Sequence, residues 1–241
     1  MKISTNNSQK PFLSIVACQH GDEPFGLEII HALASRLNEF PGLVLIVANE
    51  EALAMNRRGI DGDLNRSFPG DPSGNHEERL AHQLIARIRP SDFVLDIHTS
   101  VSHCGRLLPI LTKLDERSLR LVNLLDAPRL LHIQPPLADA SLIGNISGGV
   151  SLEFERALAD ETSVQHVVKL VEDLYTGTQN APREREAYIV TDVLPVDLPE
   201  LATSQDFDFL DSHQCYPVLI NRRPTLDNQG LKATHKKTVL M

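Results

Sequence analysis

The stretch Ala17-Cys18-Gln19-His20-Gly21-Asp22-Glu23 decides how the rest of the chain is interpreted. It follows the apolar run from Phe12 to Val16, so we expect a buried strand that ends where a loop begins. His20 and Glu23 lie three positions apart, and zinc accepts imidazole nitrogens and carboxylate oxygens as ligands. A catalytic zinc keeps three protein ligands and one open position for water. The stretch therefore predicts a metal site with a third ligand elsewhere, although such a pair also arises by chance.

A second histidine, His98, follows another apolar run, Phe93 to Ile97. In open α/β sheets ligands collect at the carboxyl ends of the strands, so two histidines at strand ends are expected to converge. We predict that one zinc ion per chain is held by His20, Glu23 and His98. Cys18 shares a strand face with His20 and is a weaker candidate ligand. An ordinary hydrogen-bonded loop histidine is the alternative interpretation of either histidine.

The segment between the two histidines, residues 56–70, is rich in turn-forming residues and carries three arginines. Asn65 and Arg66 directly precede a Phe-Pro-Gly stop. An arginine fork beside an amide matches a carboxylate in a planar, two-pronged way that a lysine could not reproduce. Asn65 and Arg66 are therefore candidate ligands of a substrate carboxylate. An arginine-rich solvated loop is the competing interpretation.

Three motifs, taken together, resemble the succinylglutamate desuccinylase/aspartoacylase family, a branch of the zinc carboxypeptidase-like hydrolases. They are His20-Gly21-Asp22-Glu23, Arg58 with Asp63-Leu64-Asn65-Arg66, and Asp96-Ile97-His98. The resemblance is good over residues 12–180 and loose beyond them. It implies an α/β fold: a zinc-carboxypeptidase-like mixed sheet flanked by helices, with a small C-terminal β domain.

The resemblance also implies an activity: zinc-dependent hydrolysis of N-acyl amino acids to a carboxylic acid and a free amino acid. Leu152-Glu153-Phe154 resembles the family's strand with the catalytic glutamate, which makes Glu153 the expected base. Arg58 would donate to the oxyanion, and Asn65 and Arg66 would hold the α-carboxylate. Glu155 is the competing base because it shares a strand face with Glu153, and the family usually has glycine there.

Substrate specificity is open at this point. Enzymes of the family that handle an acidic side chain use an additional arginine before the catalytic glutamate, and the stretch from Ser141 to Gly149 has none. Specificity for N-acetylaspartate is therefore not expected. Asp63 and Asp96 are interpreted as groups that orient ligands or cap turns. The candidates for a substitute positive charge, each also a plausible surface residue, are Arg106, Arg222 and Arg223.

Two other functions fit the same residues. A zinc carboxypeptidase acting on peptides would use the same zinc, glutamate and carboxylate clamp, but would need an open groove. A metal-binding or regulatory module without activity would bind metal and show no turnover.

Composition excludes several classes of partner. The formal net charge is -9, from 23 basic and 32 acidic residues among 241. Proteins that bind nucleic acid or anionic membranes carry a basic footprint instead, so the expected partner is a small molecule. Three isolated cysteines favour a reducing compartment, and the polar N-terminus has no apolar signal core. We therefore expect a cytoplasmic protein without a membrane span, and leave open whether it is a homo-oligomer.

The order of predicted elements indicates two domains. Strands and helices alternate up to about residue 176, which is typical of an α/β protein with a parallel or mixed sheet. Beyond that point prolines recur and only short apolar runs appear. We therefore expect a catalytic domain over residues 1–180 and a β domain over residues 181–241. The long loop at 49–72 is expected to be functional, since long loops in compact domains usually are.

Overall fold

A computed structural model describes residues 1–5, 10–195, 198–220 and 230–240. Within these ranges ten strands form one sheet. The strands are β1 (Lys2–Thr5), β2 (Leu13–Ala17), β3 (Leu43–Val47), β4 (Phe93–Ser100), β5 (Leu108–Leu111), β6 (Arg129–Ile133), β7 (Gly149–Glu155), β8 (Glu184–Val193), β9 (Tyr216–Val218) and β10 (Leu231–Leu240). The α-helices are α1 (Gly26–Ala34), α2 (Glu50–Ala54), α3 (His76–Ile88), α4 (Glu116–Leu124) and α5 (Glu161–Thr176).

The sheet is mixed, in the order β1-β3-β2-β4-β7-β5-β6-β8-β10-β9. Its centre is parallel, because β3, β2, β4 and β7 all run in one direction. β5 is antiparallel to β7, and β10 is antiparallel to both of its neighbours. The predicted fold class, a mixed sheet flanked by helices, is confirmed.

Helices cover both faces of the parallel centre. Leu13, Ile15 and Leu95 belong to a core that also contains the apolar residues of α1, α4 and α5. Val16 and Val94 belong to a second core that contains the apolar stripe of α3. Strands buried on both faces need apolar residues at every position, which explains their continuous hydrophobic runs.

Successive side chains of a strand point to opposite faces of the sheet, and this alternation determines which side chains meet. On β4, Asp96 and His98 have the parity of Val94 and so point to the α3 face. Strand β7 lies beside β4 with His98 opposite Glu153 in the register. The candidate metal ligand and the candidate base therefore stand side by side on neighbouring parallel strands.

Most predicted elements are present, and each difference has a physical cause. Strand β4 runs on to Ser100, so His98 lies inside the strand and not after it. The predicted loop at 49–72 contains α2, whose N-cap Asn49 accepts a hydrogen bond from the Ala52 N–H. Strands β1 and β10 were not predicted because their sequences are polar. Both are held by backbone pairing to β3 and β8, which a hydrophobic pattern does not reveal.

The C-terminal strands continue the main sheet. Strand β8 pairs in parallel with β6, and β10 and β9 follow it in the sheet order. The division into domains at residue 180 stays a prediction. Among the described helices, none has both the length and the hydropathy of a membrane-spanning segment.

Candidate metal centre and substrate cavity

A tight loop at the end of β2 delivers the first two candidate ligands. Cys18 takes a left-handed conformation, with φ of 55°, and turns the chain out of the strand. Gly21 then lies directly against the backbone of α2, where an added Cβ would come within 2.0 Å of the Ala52 carbonyl carbon. Only glycine fits such an approach, so the loop that carries His20 and Glu23 is held against α2.

The three predicted ligands converge. One ligand atom from each of His20, Glu23 and His98 can be chosen so that all lie within 4.8 Å of one another. The Nδ1 atoms of the two rings lie 2.8 Å and 3.2 Å from the Glu23 carboxylate oxygens. All three residues are buried, with 3 to 6% of their surfaces exposed. Two imidazole nitrogens and a carboxylate form a donor set that suits zinc.

Two further carboxylates occupy the other ring nitrogens. His20 Nε2 lies 2.9 Å from Asp63 Oδ1, and His98 Nε2 lies 3.0 Å from Asp96 Oδ2. Metal-bound histidines commonly have such a partner, which sets the tautomer and the direction of the ring. Because the Nε2 atoms are engaged by these carboxylates, Nδ1 is the nitrogen of each ring that could bind a metal. Asp63 and Asp96 thus lie where orienting groups would be needed.

The protonation equilibria reflect this clustering of opposite charges. Burial lowers the pKa of both histidines, but Glu23 beside His20 and Asp96 beside His98 more than offset it, so both pKa values rise. Burial alone would raise the pKa of Glu23, but the two imidazoles bring it well below its usual range. The two imidazoles therefore favour the ionised form of the Glu23 carboxylate.

Cys18, the weaker candidate ligand, is directed elsewhere. Its side chain belongs to the core on the α1 side of the sheet. Burial raises the pKa of the thiol to about 12. A metal-binding cysteine must be a thiolate, which these surroundings disfavour.

The arginine-bearing loop lies beside the metal centre. Arg58 donates to Asp63 Oδ2 from Nε at 3.0 Å and from Nη2 at 2.7 Å. Its Nη1 lies 3.7 Å from Glu23 Oε1. The Asn65 side-chain oxygen accepts from the Leu142 N–H at 2.9 Å, and its amide nitrogen lies 3.4 Å from His98 Nε2. The loop thus contacts two of the candidate ligands, Glu23 and His98.

The two candidate bases on β7 have different surroundings. Glu153 lines the cavity in front of the metal centre, whereas Glu155 is not among its lining residues. Glu155 accepts a hydrogen bond from the Gly105 N–H at 3.1 Å and lies 3.1 Å from His103 Nδ1. Burial raises the pKa of Glu153 to about 7, with Glu23 and Asp96 adding to the effect and the two histidines opposing it.

One cavity of about 400 Å³ is shared by the three candidate ligands, the arginine-bearing loop and Glu153. Its polar side is formed by His20, Glu23, Arg58, Asn65, Arg66, His98, Glu153 and Arg156, among others. Apolar residues from position 110 onward, which we call the apolar wall, also line it: Ile110, Ile133, Leu137, Ala138, Ile143, Val193, Leu219 and Leu231. A concave, partly apolar pocket with a few convergent polar groups is typical of a small-molecule site.

Two residues behind the site, Gln19 and Glu77, were not identified from the sequence, and neither was the cavity-lining Arg156. Gln19 donates to Asp96 Oδ1 at 2.6 Å, behind the candidate ligand His98. Glu77 on α3 is completely buried and accepts hydrogen bonds from the arginine-bearing loop. A glutamine in a loop and a glutamate in a helix carry no local signal of such contacts, which join distant parts of the chain.

A family model described as the succinylglutamate desuccinylase/aspartoacylase catalytic domain matches residues 9–154, more than half of the chain. The chain belongs to the succinylglutamate desuccinylase/aspartoacylase family. The matched range contains the three candidate ligands, the arginine-bearing loop and Glu153. The family resemblance inferred from the sequence is therefore confirmed.

Curated relatives are similar in sequence to parts of this chain. The N-alpha-acetyl-L-2,4-diaminobutyric acid deacetylase of Halomonas elongata is 38% identical over 109 residues, which are 42% of this chain and 31% of that enzyme. The N-acyl-aromatic-L-amino acid amidohydrolase (carboxylate-forming) of the rat is 27% identical over 180 residues, 63% of this chain and 56% of that enzyme. The aligned parts thus span about a third to about half of these relatives.

Solved structures show the same fold over almost the whole chain. Murine aminoacylase 3 superposes with a TM-score of 0.73 at 20% sequence identity, covering 98% of each chain. The succinylglutamate desuccinylase of Chromobacterium violaceum also has a TM-score of 0.73, at 14% identity, covering 95% of this chain and 85% of that one. At these identities the likeness concerns the fold.

Proposed function

We propose that this protein is a zinc-dependent amidohydrolase that deacylates N-acyl amino acids and releases a carboxylic acid and a free amino acid. The observation that carries this proposal is the convergence of His20, Glu23 and His98 in one cavity with the partly buried Glu153 and an arginine-bearing loop. Membership of the family and the deacylase relatives support the reaction class.

One zinc ion per chain would be held by His20, Glu23 and His98. Their donor atoms fit zinc, because two neutral imidazoles and one carboxylate leave a position open for water. When bound, zinc lowers the pKa of its water from about 15.7 towards about 7 and polarises a carbonyl. Asp63 and Asp96 would keep both rings turned with Nδ1 towards the metal.

Glu153 would act as the base. Its side chain lines the cavity beside His98, and its pKa of about 7, raised by burial, suits proton transfer near neutral pH. It would take a proton from the attacking water and deliver it to the departing amine nitrogen. Glu155 is the less suitable base because the Gly105 N–H and His103 already engage its carboxylate.

The arginine-bearing loop would bind the substrate. The Nε and Nη2 atoms of Arg58 are used by Asp63, which leaves Nη1 to donate to the oxyanion that develops on the attacked carbonyl. The side-chain amide of Asn65 and the fork of Arg66, both at the cavity, would hold the α-carboxylate. The substrate would thus be clamped with its amide bond in front of the zinc ligands.

The apolar wall supports a substrate that carries an apolar group, in its side chain or in its acyl group. Partly exposed Ile133, Leu137 and Leu231 face the cavity and would be desolvated by such a group. Arg106, one candidate for handling an acidic side chain, is instead paired with Asp160 and does not line the cavity. The other two, Arg222 and Arg223, lie outside the described residues.

A zinc carboxypeptidase is the second candidate, and the shape of the cavity disfavours it. Residues from β8, from the segment after β9 and from β10 wall the cavity, and its volume of about 400 Å³ suits a small molecule better than a peptide. A metal-binding module without activity is disfavoured because Glu153 and Arg58 both reach the cavity.

The test is amine release from a panel of N-acetyl and N-succinyl amino acids and short peptides, with zinc-loaded and chelator-treated protein side by side. We expect zinc-dependent cleavage of acyl amino acids, fastest for those with an apolar group. Cleavage of peptides alone would identify a carboxypeptidase. Stoichiometric zinc without turnover of any compound would identify a binding module.

A further inference from the structure

Glu77 is a completely buried carboxylate on α3 that belongs neither to the metal centre nor to the cavity lining. Its partners are one side-chain amide and three consecutive backbone amides. Asn49 Nδ2 donates to it at 3.2 Å. The backbone donors are Ile60 N–H at 2.7 Å, Asp61 N–H at 2.9 Å and Gly62 N–H at 3.0 Å.

All four partners of Glu77 are hydrogen-bond donors. An ionised carboxylate is an acceptor only, with sites for about four hydrogen bonds, so it matches this set of donors. Hydrogen bonds to a charged acceptor are also stronger than neutral ones. None of the ion pairs between described residues includes Glu77. The backbone amides and Asn49 are therefore what holds this charge in the interior.

The three amides bound by Glu77 lie in a tight turn. A Cβ added to Gly59 would fall 1.8 Å from the Gly62 carbonyl oxygen and 3.2 Å from Glu77 Oε1. Residues 59–62, which we call the Glu77 turn, thus bring Gly59 close to both the Gly62 carbonyl and the Glu77 carboxylate. The turn connects Arg58 directly to Asp63.

Both ends of the Glu77 turn reach the metal centre. Arg58 and Asp63 are joined by two hydrogen bonds, and Asp63 Oδ1 lies 2.9 Å from His20 Nε2. Loosening the turn would therefore release the arginine proposed to bind the oxyanion and the carboxylate that orients a metal ligand. Misplacement by about 1 Å can reduce a rate about 100-fold.

We propose that Glu77 is a positioning residue for the hydrolysis, acting through the Glu77 turn on Arg58 and Asp63 without touching substrate. This inference rests on the proposed function for its kinetic consequences. Its structural consequence, ordering of the amides at residues 60–62, does not depend on any activity.

The central variant is Glu77→Gln, which keeps the size of the side chain but directs an amide NH₂ at groups that are themselves donors. We expect kcat to fall by about 100-fold, towards the loss typical of a missing oxyanion donor, with a smaller change in KM. Hydrogen exchange of the 60–62 amides should become faster. Wild-type kcat, or unchanged exchange, would overturn the proposal.

Glu78→Gln is the matched control. Glu78 is the next residue on the same helix, and its carboxylate accepts from the Asn75 N–H at 2.7 Å in the capping box of α3. The variant weakens the helix cap but does not touch the Glu77 turn. We expect a lower Tm with unchanged kcat and unchanged exchange at residues 60–62.

A double-mutant cycle separates positioning from general damage. If Glu77 acts through Arg58, Glu77→Gln should reduce kcat much less in an Arg58→Ala background than in the wild type. Equal fold losses in both backgrounds would contradict positioning through Arg58. If the wild type itself turned over no substrate, the proposed function would fail, while the exchange measurement would still decide whether Glu77 orders the turn.

If Glu77→Gln does not fold, Gly59→Ala tests the Glu77 turn without changing Glu77. The added methyl group collides with the Gly62 carbonyl while Glu77 stays intact. We expect a similar loss of kcat and faster exchange at residues 60–62. Gly62→Ala, whose added Cβ meets no atom within 4 Å, should lose much less. Equal kcat for the two glycine variants would contradict the importance of the turn.

Discussion

The two sides of the cavity are built by different means. On the polar side, the buried charges of the candidate metal centre have specific partners, such as Asp96 behind His98. The apolar wall is held by packing, since Ile110 and Ile143 belong to a hydrophobic core formed by β5, β6 and β8 to β10. Hydrogen-bonded charges tolerate little displacement, whereas packed side chains can be exchanged for others of similar volume. We therefore expect the polar side to determine the reaction and the apolar wall to determine the substrate.

The largest expected effect concerns the base on the polar side. Glu153→Gln should retain zinc and fold but lower kcat by about 100-fold to 10,000-fold, because general base catalysis contributes that much. Metal analysis and steady-state kinetics measure the two quantities. Glu155→Gln, on the same strand and face but outside the cavity lining, is the control and should stay close to wild type. The reverse ranking would assign the base to Glu155.

The next effect concerns the carboxylate behind His98. Asp96→Asn should lower zinc affinity by about 10-fold to 100-fold, since partners of metal-bound histidines typically contribute that much. Competition with a chelating dye measures the affinity. Asp92→Asn is the control, because Asp92 precedes the same strand but pairs with Lys10 at the surface. Equal affinities for the two variants would show that Asp96 does not orient the ligand.

On the apolar wall the expected effect is smaller and depends on the substrate. Ile133→Thr should lower kcat/KM by about 10-fold for acyl amino acids with a large apolar group. The variant removes apolar contact with that group, and a change of a methylene or so in an apolar pocket typically has an effect of about this size. Substrates with only small groups should be cleaved as by the wild type. Leu114→Thr, an exposed residue away from the cavity, is the control. A uniform loss over all substrates would mean that the wall also supports the polar side.

The smallest expected effect is on the stability of the zinc-free protein. Burial raises the folded-state pKa of Glu153 from 4.5 to about 7, so the folded state favours the protonated form. This stabilising contribution is complete below about pH 4.5 and is lost as the pH rises through 7. Relative to wild type, Glu153→Gln should therefore gain a few degrees in Tm at pH 8. At pH 4.5 the gain should vanish. A gain independent of pH would rule out titration of Glu153 as its cause.

Much of the fold and the site could be predicted because their signals are local. The continuous apolar run of β3 and the capped, periodic sequence of α3 identify these elements without reference to neighbours. The candidate metal ligands lie in or just after strands that can be recognised in the same way. Strands β1 and β10 could not be predicted, since their pairing partners, and not their own side chains, hold them in place.

The substrate side of the cavity was the least predictable part. The family resemblance favours an arginine as the group that sets specificity, but Arg106 is paired with Asp160. The apolar wall instead collects residues from positions 110 to 231, each of which resembles an ordinary core residue in the sequence. Hydrophobic side chains that line a cavity and those that fill a core have the same local pattern, so only packing distinguishes them.

By itself the sequence determined the family, the α/β class and the residue types that can hold a metal, because hydrophobic periodicity and motif spacing are properties of neighbouring positions. The tertiary structure decided which groups face each other. His20 meets Asp63 across 43 positions, and Glu77 meets the amides of residues 60–62 from 15 to 17 positions away. Such contacts form only when helices and loops pack on the sheet, since no local rule of helix or strand brings these atoms together.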